Sequence, residues 1–249
     1  MTSAPYYQDD LAWVHHVGYG QLAERAAPGI LALLARAEMA GGASVLDVGC
    51  GSGQLAGALA DAGYRVFGVD ASPAMVELAR THAPRAQFEV RSLPTGKPTG
   101  APGGLPAAHA VVSTGHVLNY LDSAEDIAAA LRELADAVRP GGLLALDLMT
   151  ERFASPHEHC RGHARVEEDW AIVTRDSRPG PRRLHRQITV FRRVGDRWRR
   201  QDEHHRNLTC EPAEALAILG ASGISAEERP SFGEESTLAG LVVLVGVRR

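Results

Sequence analysis

The stretch Val45-Leu46-Asp47-Val48-Gly49-Cys50-Gly51-Ser52-Gly53 places an acidic residue near the end of an apolar run, with glycines at alternate positions just after it. Glycine is required where backbone must turn tightly and approach a ligand without a Cβ in the way. A strand followed by Gly-x-Gly-x-Gly suits a dinucleotide or a nucleoside. The dinucleotide fingerprint spaces its last glycine one residue further and seats a pyrophosphate on the following helix. Asp47 would repel a pyrophosphate, but it suits a cationic ligand such as an amino acid carrying an ammonium and a sulfonium. A second strand pattern, Phe67-Gly68-Val69-Asp70, ends in a carboxylate 17 positions after Gly53. A carboxylate there can take both hydroxyls of a ribose, in the crevice beyond the carboxyl ends of parallel strands.

The elements that must position these groups alternate. Val45–Val48 reads as a buried strand, Gln54–Ala62 as a helix and Arg65–Val69 as a strand. Ser72–His82 reads as a helix with Ser72 at the N-cap and Pro73 at N1. Strands follow near Gln87–Val90 and at Ala110–Ser113. A helix over Ser123–Val138, closed by Pro140-Gly141, leads to a strand at Leu143–Leu148. Alternating β and α units predict a parallel sheet with helices on both faces. The Pro- and Gly-rich run Pro94–Pro106 reads as a mobile surface loop. After Thr150 three segments of period two follow, Ala164–Arg175, Leu184–Arg193 and Arg197–Leu208, and predict an antiparallel sheet of about three strands with a turn at Gly195-Asp196. Thr209 then caps a helix through Leu219, and strands are expected around Ile224–Glu228 and Leu238–Val247. Before the first strand, Ala12–Ala40 has the apolar spacing of a half-buried helix. The expected division is an N-terminal helical lid segment over 1–40 and one domain over 41–249, into which the antiparallel sheet is inserted over 150–210.

Composition narrows the chemistry. The 249 residues are 45% hydrophobic and 22% charged, with a net charge of -4, a profile that excludes a disordered or fibrous chain. Lys97 is the only lysine. It is followed by Pro98, so it builds no phosphate-cradling loop, and its Pro/Gly surroundings offer no apolar pocket for Schiff-base chemistry. Cys50, Cys160 and Cys210 are odd in number and far apart, which predicts no disulfide framework and a reducing, cytoplasmic setting. No apolar run is long enough to span a bilayer, and the first ten residues lack the basic start and apolar stretch of a signal peptide.

Four segments, LDVGCGSG, GVDAS, VVSTGHVLNYL and VRPGGLLALDL, occur in this order within about residues 41–149. In them the chain resembles the class I S-adenosylmethionine-dependent methyltransferases. The resemblance implies a doubly wound, mostly parallel seven-stranded α/β sheet with an antiparallel last strand. It also implies that Asp47, Gly49, Cys50, Gly51 and Gly53 surround the methionine part of S-adenosylmethionine. Asp70 would bind the ribose, Ala71 and Met75 would flank the adenine, and Ser92 and Leu93 would contact its edge; many members carry an acidic residue where Ser92 stands. Thr114, Gly115 and His116 would fall where the fourth strand opens toward the methyl. The segment Met149–Cys210 resembles the sheet that some small bacterial members insert to roof the acceptor pocket, which favours a small-molecule acceptor methylated on O or N.

Methyl transfer is an in-line displacement, so the site mainly has to hold the acceptor about 3 Å from the methyl in a dry pocket. A base helps when the acceptor is a phenol, alcohol or ammonium, and His116 is the first candidate. Asn119 and Tyr120 read as structural. Tyr6, Tyr7, Trp13 and Tyr19 crowd the first twenty residues and could close over the site, so Tyr7, Trp13 and Tyr19 are candidate acceptor contacts. His204 and His205 point to opposite faces of their strand, and His204 is taken as the one facing the acceptor. His157, His159, Cys160 and His163 lack a recognised ligand pattern, and no metal is assigned. Arginines between Arg161 and Arg206 are offset by acids and accompanied by few aromatics, so no nucleic-acid partner is expected. A binding or regulatory protein without turnover, or an RNA methyltransferase, are the alternatives. Whether the chain is a monomer or a dimer is not readable.

Overall fold

The structure, a computed structural model, describes residues 6–153, 162–235 and 237–249. The first sheet is built from β1 (Ser44–Val48), β2 (Arg65–Asp70), β3 (Gln87–Val90), β4 (Ala108–Ser113), β5 (Val138–Met149), β10 (Ile224–Arg229) and β11 (Leu241–Arg248), in the order β10-β11-β5-β4-β1-β2-β3. β11 pairs antiparallel to both β5 and β10, and the pairs β4–β5, β1–β4, β1–β2 and β2–β3 are parallel. From β1 the order runs one way through β2 and β3 and the other way through β4 and β5. That reversal opens a crevice beyond the carboxyl ends of β1 and β4, where doubly wound sheets bind ligands.

The helices α1 (Asp9–Tyr19), α2 (Gln21–Arg36), α3 (Gln54–Asp61), α4 (Pro73–His82), α5 (Ala124–Ala137) and α6 (Pro212–Ala221) complete this unit. Ile30, Leu34, Leu55, Leu59 and Val76 pack on one face of the sheet, and Leu118, Ile127, Leu131, Leu134 and Leu219 on the other. Strands covered on both faces read as continuous apolar runs, as Val243–Val245 does. Ser72 caps α4 by accepting from the Met75 amide at 3.1 Å, with Pro73 at its start, as expected.

Several expectations are corrected. The N-terminal helix is two helices broken at Gly20, where a Cβ would lie 2.6 Å from Gln54 Nε2. Thr209 caps nothing: it is buried, its amide continues the ladder to Arg182 O, and α6 starts at Pro212 after Glu211, because proline needs no donor partner in the first turn. α5 ends at Ala137, and Pro140 and Gly141 lie inside β5, where the β4–β5 register slips between Ala108 and Ala110. The Pro94–Pro106 loop is pinned, with Glu133 accepting from the Thr95 and Gly96 amides at 2.7 Å each and Leu105 buried.

The second sheet has four antiparallel strands rather than three: β6 (His163–Val166), β7 (Trp170–Gly180), β8 (Arg183–Val194) and β9 (Arg197–Leu208). One buried side chain ties it to the first. Asn119, in the 3-10 turn Val117–Tyr120 after β4, donates to Met149 O at 2.9 Å and Leu208 O at 2.7 Å and accepts from the Met149 amide at 2.8 Å. An amide side chain fits because it offers donors and an acceptor on one plane. Asn119→Ala removes all three of these buried hydrogen bonds, although Met149 O keeps the Cys210 amide at 3.0 Å; a buried backbone group left unpaired costs about 1–3 kcal/mol. The substitution is expected to lower unfolding free energy by roughly 3 kcal/mol in urea titrations, and an unchanged midpoint would contradict this role.

Candidate active site

The loop after β1 turns at Gly49 (φ 67°), Gly51 (φ 51°) and Gly53 (φ 85°). The three glycines serve different ends. A Cβ on Gly49 would sit 2.1 Å from Val117 Cγ2, and one on Gly53 3.1 Å from Ala79, so both hold the loop against its neighbours. A Cβ on Gly51 would meet nothing within 4 Å, which leaves room for a ligand. The Gly51 amide donates to Asp70 Oδ2 at 3.0 Å and the Ser72 amide to Oδ1 at 2.8 Å, so the carboxylate at the end of β2 fixes the loop opposite it. Burial raises the Asp70 pKa against these amide hydrogen bonds.

Asp47 is 1% exposed, and neither carboxylate oxygen has a hydrogen-bond partner among the described residues. Burial, and secondarily the charge of Asp70, push its pKa up to about 7. A buried carboxylate without a donor is costly unless something cationic completes it. Cys50 is also buried, and burial pushes its thiol well above the usual range, which makes it packing rather than a nucleophile. Ala71 is exposed just past β2, and Met75 is buried in the first turn of α4. Beyond β3, Ser92 is exposed and Leu93 packs on the core.

At the end of β4, Gly115 (φ 89°) and His116 (φ 49°) are both left-handed. Asp147 on β5, a residue without a signal in the sequence reading, accepts the Gly115 amide at 3.0 Å and the His116 amide at 2.7 Å. Burial raises Asp147 to about 6 although both amides favour its charged form. A non-glycine residue in this conformation is strained and is held there by surrounding structure, here by Asp147. The His116 Nδ1 is buried without a partner among the described residues. Burial, with the charge of Arg186 next, lowers the imidazole to about 3, so it is neutral at neutral pH. Its ring stacks on Tyr120 with centres 5.9 Å apart and tilts against Phe153 at 6.1 Å.

The N-terminal segment lies over this end. The Tyr7 hydroxyl meets the Tyr120 hydroxyl at 2.9 Å, and the Tyr7 carbonyl accepts from Ser72 Oγ at 2.6 Å. Glu203 on β9 accepts the Tyr7 and Gln8 amides at 2.8 Å each, and Gln201 accepts those of Asp10 and Leu11 at 3.0 Å. Asp10 is ion-paired to Arg192 and Arg199, and His16 Nδ1 lies 3.0 Å from Ser52 Oγ in the glycine loop. α1 therefore bridges the glycine loop and the second sheet.

The sequence-assigned acceptor contacts divide accordingly. Tyr7 lies against Tyr120, read as structural, beside the His116 corner. Trp13 faces Arg192, whose guanidinium lies 4.1 Å from the ring centre, and Tyr19 stacks on His15 at 5.9 Å and lies beside Trp170. His204 is exposed against His185, while His205 is 1% exposed and faces Tyr6, Tyr7 and Tyr120. His204 therefore turns away from these rings, and it is His205 that faces them. His157, His159 and Cys160 lie outside the described residues, and His163 is exposed. Two open cavities, of about 440 and 450 Å³, lie away from this chemistry, beside Arg25 and Glu234 and around Gly41 and Arg139. Among the described residues no helix is long and apolar enough to cross a membrane.

A seven-stranded sheet with this strand order, a glycine loop after β1 and a carboxylate ending β2 is the class I methyltransferase fold. Residues 45–142 match the family described as the methyltransferase domain. A S-adenosylmethionine-dependent methyltransferase of Clostridium acetobutylicum superposes with a TM-score of 0.80 at 12% identity, covering 96% of this chain and 98% of that one. The aminopentose methyltransferase CalS10 of Micromonospora echinaspora, solved with S-adenosylmethionine bound, superposes with a TM-score of 0.71 at 23% identity over 100% of both chains. By sequence the chain is 33% identical over 141 residues to a trans-aconitate 2-methyltransferase of Variovorax paradoxus, covering 56% of this chain and 51% of that protein. It thus spans about half the length of that curated relative.

The different surroundings of two glycines make a test. Gly49→Ala, which drives a methyl into Val117, is expected to cost about 1–3 kcal/mol of stability or more. Gly51→Ala keeps most of the stability, at a backbone cost of roughly 1–2 kcal/mol, and fills the space a ligand would use. Thermal melts with and without S-adenosylhomocysteine distinguish them: loss of the ligand-induced shift in Gly51→Ala is expected, and a full shift would contradict the assignment.

Proposed function

We propose that the chain is a S-adenosylmethionine-dependent methyltransferase acting on an O or N atom of a small-molecule acceptor. The observation that carries this reading is the Asp47 carboxylate, without a hydrogen-bond partner among the described residues, beneath a glycine loop whose Gly51 face is open, across from Asp70. Those residues fit the cofactor by charge and shape. Asp47 and the glycine loop would hold its ammonium-bearing methionine end, and Asp70 and the exposed Ala71 its nucleoside end. When bound, the cofactor supplies an electrophilic methyl carbon on a sulfonium.

The protein's part is positioning and exclusion of water. Asp147 fixes Gly115 and His116 at the end of β4, and Tyr7, Tyr120, His116 and Phe153 form an aromatic wall there. Neutral His116 offers a ring nitrogen to orient an acceptor hydroxyl or amine. The N-terminal segment, as a lid, and the second sheet, as a roof, close the site from water, which suits a small acceptor better than RNA; the names of the relatives, an aminopentose and a trans-aconitate methyltransferase, support the same class.

Transfer of a labelled methyl group from S-adenosylmethionine to trans-aconitate, an aminopentose, catechol and total RNA tests this reading. Label in a small acceptor is expected, with kcat/KM reduced about 10²-fold or more by Asp70→Ala, since two charge-assisted hydrogen bonds to the ribose, each worth about 1.5–3 kcal/mol, are removed. Label in RNA alone would overturn the acceptor class. Binding of S-adenosylmethionine without transfer to any of them or to a metabolite extract would favour a non-catalytic binding protein.

A further inference from the structure

Glu203 and His205, two residues apart on the inward face of β9, form a buried carboxylate–imidazole pair with Glu203 Oε2 2.8 Å from His205 Nε2. The protonation of this pair follows from counting donors. Glu203 already accepts the Tyr7 amide on Oε2 and the Gln8 amide on Oε1. An ionised carboxylate only accepts, so the hydrogen shared with the imidazole sits on Nε2. The remaining ring nitrogen, Nδ1, is buried and has no partner among the described residues. Its ring lies against Tyr6, Tyr7 and Tyr120, with centres 4.6, 4.9 and 5.6 Å away. Those last two rings also form the wall beside His116.

Resting on the methyltransferase reading above, we propose that His205 is the base that takes the acceptor's proton, that Glu203 positions it, and that this positioning requires the docked N-terminal segment. The acceptor's lone pair forms its bond to the methyl carbon while the carbon–sulfur bond breaks, its electron pair leaving on sulfur. The proton released by the acceptor O or N is taken on His205 Nδ1, and the resulting imidazolium is paired with Glu203. Reopening of the N-terminal segment then returns that proton to water. His116 is a weaker candidate for this step, because its imidazole titrates far below neutral pH and a base works best near the operating pH.

Titratable and charged groups face His205 from every element packed against it. Arg186 lies directly opposite it on β8 and is itself paired to Asp176 at 3.0 Å. Glu203 lies beside it on its own strand, Tyr6 and Tyr7 come from the N-terminal segment, Tyr120 from the 3-10 turn, and His15 from α1. The carboxylate that orients the imidazole is also the one that receives the Tyr7 and Gln8 amides. Undocking the segment therefore loosens base and lid together.

Imidazole nitrogen NMR on the full chain labelled with ¹⁵N histidine, between pH 6 and 8 with S-adenosylhomocysteine bound, reads the state of His205 directly; His205→Asn assigns the signals. The expected spectrum is a neutral ring with hydrogen on Nε2 and a bare Nδ1, giving way to a tautomer mixture in Glu203→Gln and restored in Glu203→Asp. On a small acceptor from the panel above, Glu203→Gln is expected to lower kcat 10²-fold or more with KM changed less than threefold, and Glu203→Asp to recover most of it. Hydrogen on Nδ1, or an imidazolium throughout this range, overturns the proposal while leaving the methyltransferase reading intact. A chain whose calorimetric titration shows no S-adenosylhomocysteine binding defeats the methyltransferase reading, and the proposal with it.

Discussion

A buried carboxyl group with no hydrogen-bond partner among the described residues lies at the base of the crevice. Asp47, the last residue but one of β1, is sealed from water, with no donor for either oxygen among the described residues. Burial of an unpaired carboxylate is unfavourable enough that the group shifts toward its neutral form instead, as its raised pKa records. The rest of the crevice is consistent with that need: open space over Gly51, a second carboxylate at Asp70 held by backbone amides, and a left-handed Gly115-His116 corner pinned by Asp147. Each holds the site in shape before any ligand arrives, which is how an enzyme avoids reorganising during the chemical step.

The two outer elements depend on one another. The second sheet supplies Glu203, Gln201, Arg192 and Arg199, and the N-terminal segment supplies the amides and the Asp10 carboxylate that meet them. Without the segment, Glu203 would lose two of its three donors; without the sheet, Tyr7 would lose the contacts that hold its left-handed backbone. A site closed in this way admits ligand only when part of the closure moves. Mobile covers over a preformed crevice serve to exclude water and to commit substrate.

What was legible in the sequence was whatever depends on neighbours in the chain. The glycine loop, Asp70, the Ser72-Pro73 cap and the alternation of β and α are local chemistry, and they stand in the structure where they were expected. What was illegible depends on docking. Alternation along β9 separates His204 from His205, but which face turns inward is settled by the packing of the second sheet, and Asn207 and Leu208 are both buried where the pattern breaks. Asp147 lay inside an ordinary apolar strand, and its role comes from the loop of another strand. Tyr120 gained its partner from a residue 113 positions away. The close packing of Gly20 against the Gln54 side chain, which leaves no room for a Cβ there, was likewise invisible in the sequence.

The central claim is that Asp47 awaits a cationic amino-acid end of S-adenosylmethionine, and proton linkage tests it most directly. With its pKa pushed up to about 7, the ligand-free carboxylate is part protonated at neutral pH, and a nearby cation lowers that pKa, so binding must release a fraction of a proton. Calorimetric titration with S-adenosylmethionine at pH 7, repeated in buffers of different ionisation enthalpy, measures that release. The account predicts saturable binding with roughly half a proton released, and a smaller release in Asp47→Asn. Binding with the same proton balance in both proteins, or no binding to the wild-type chain, would contradict it.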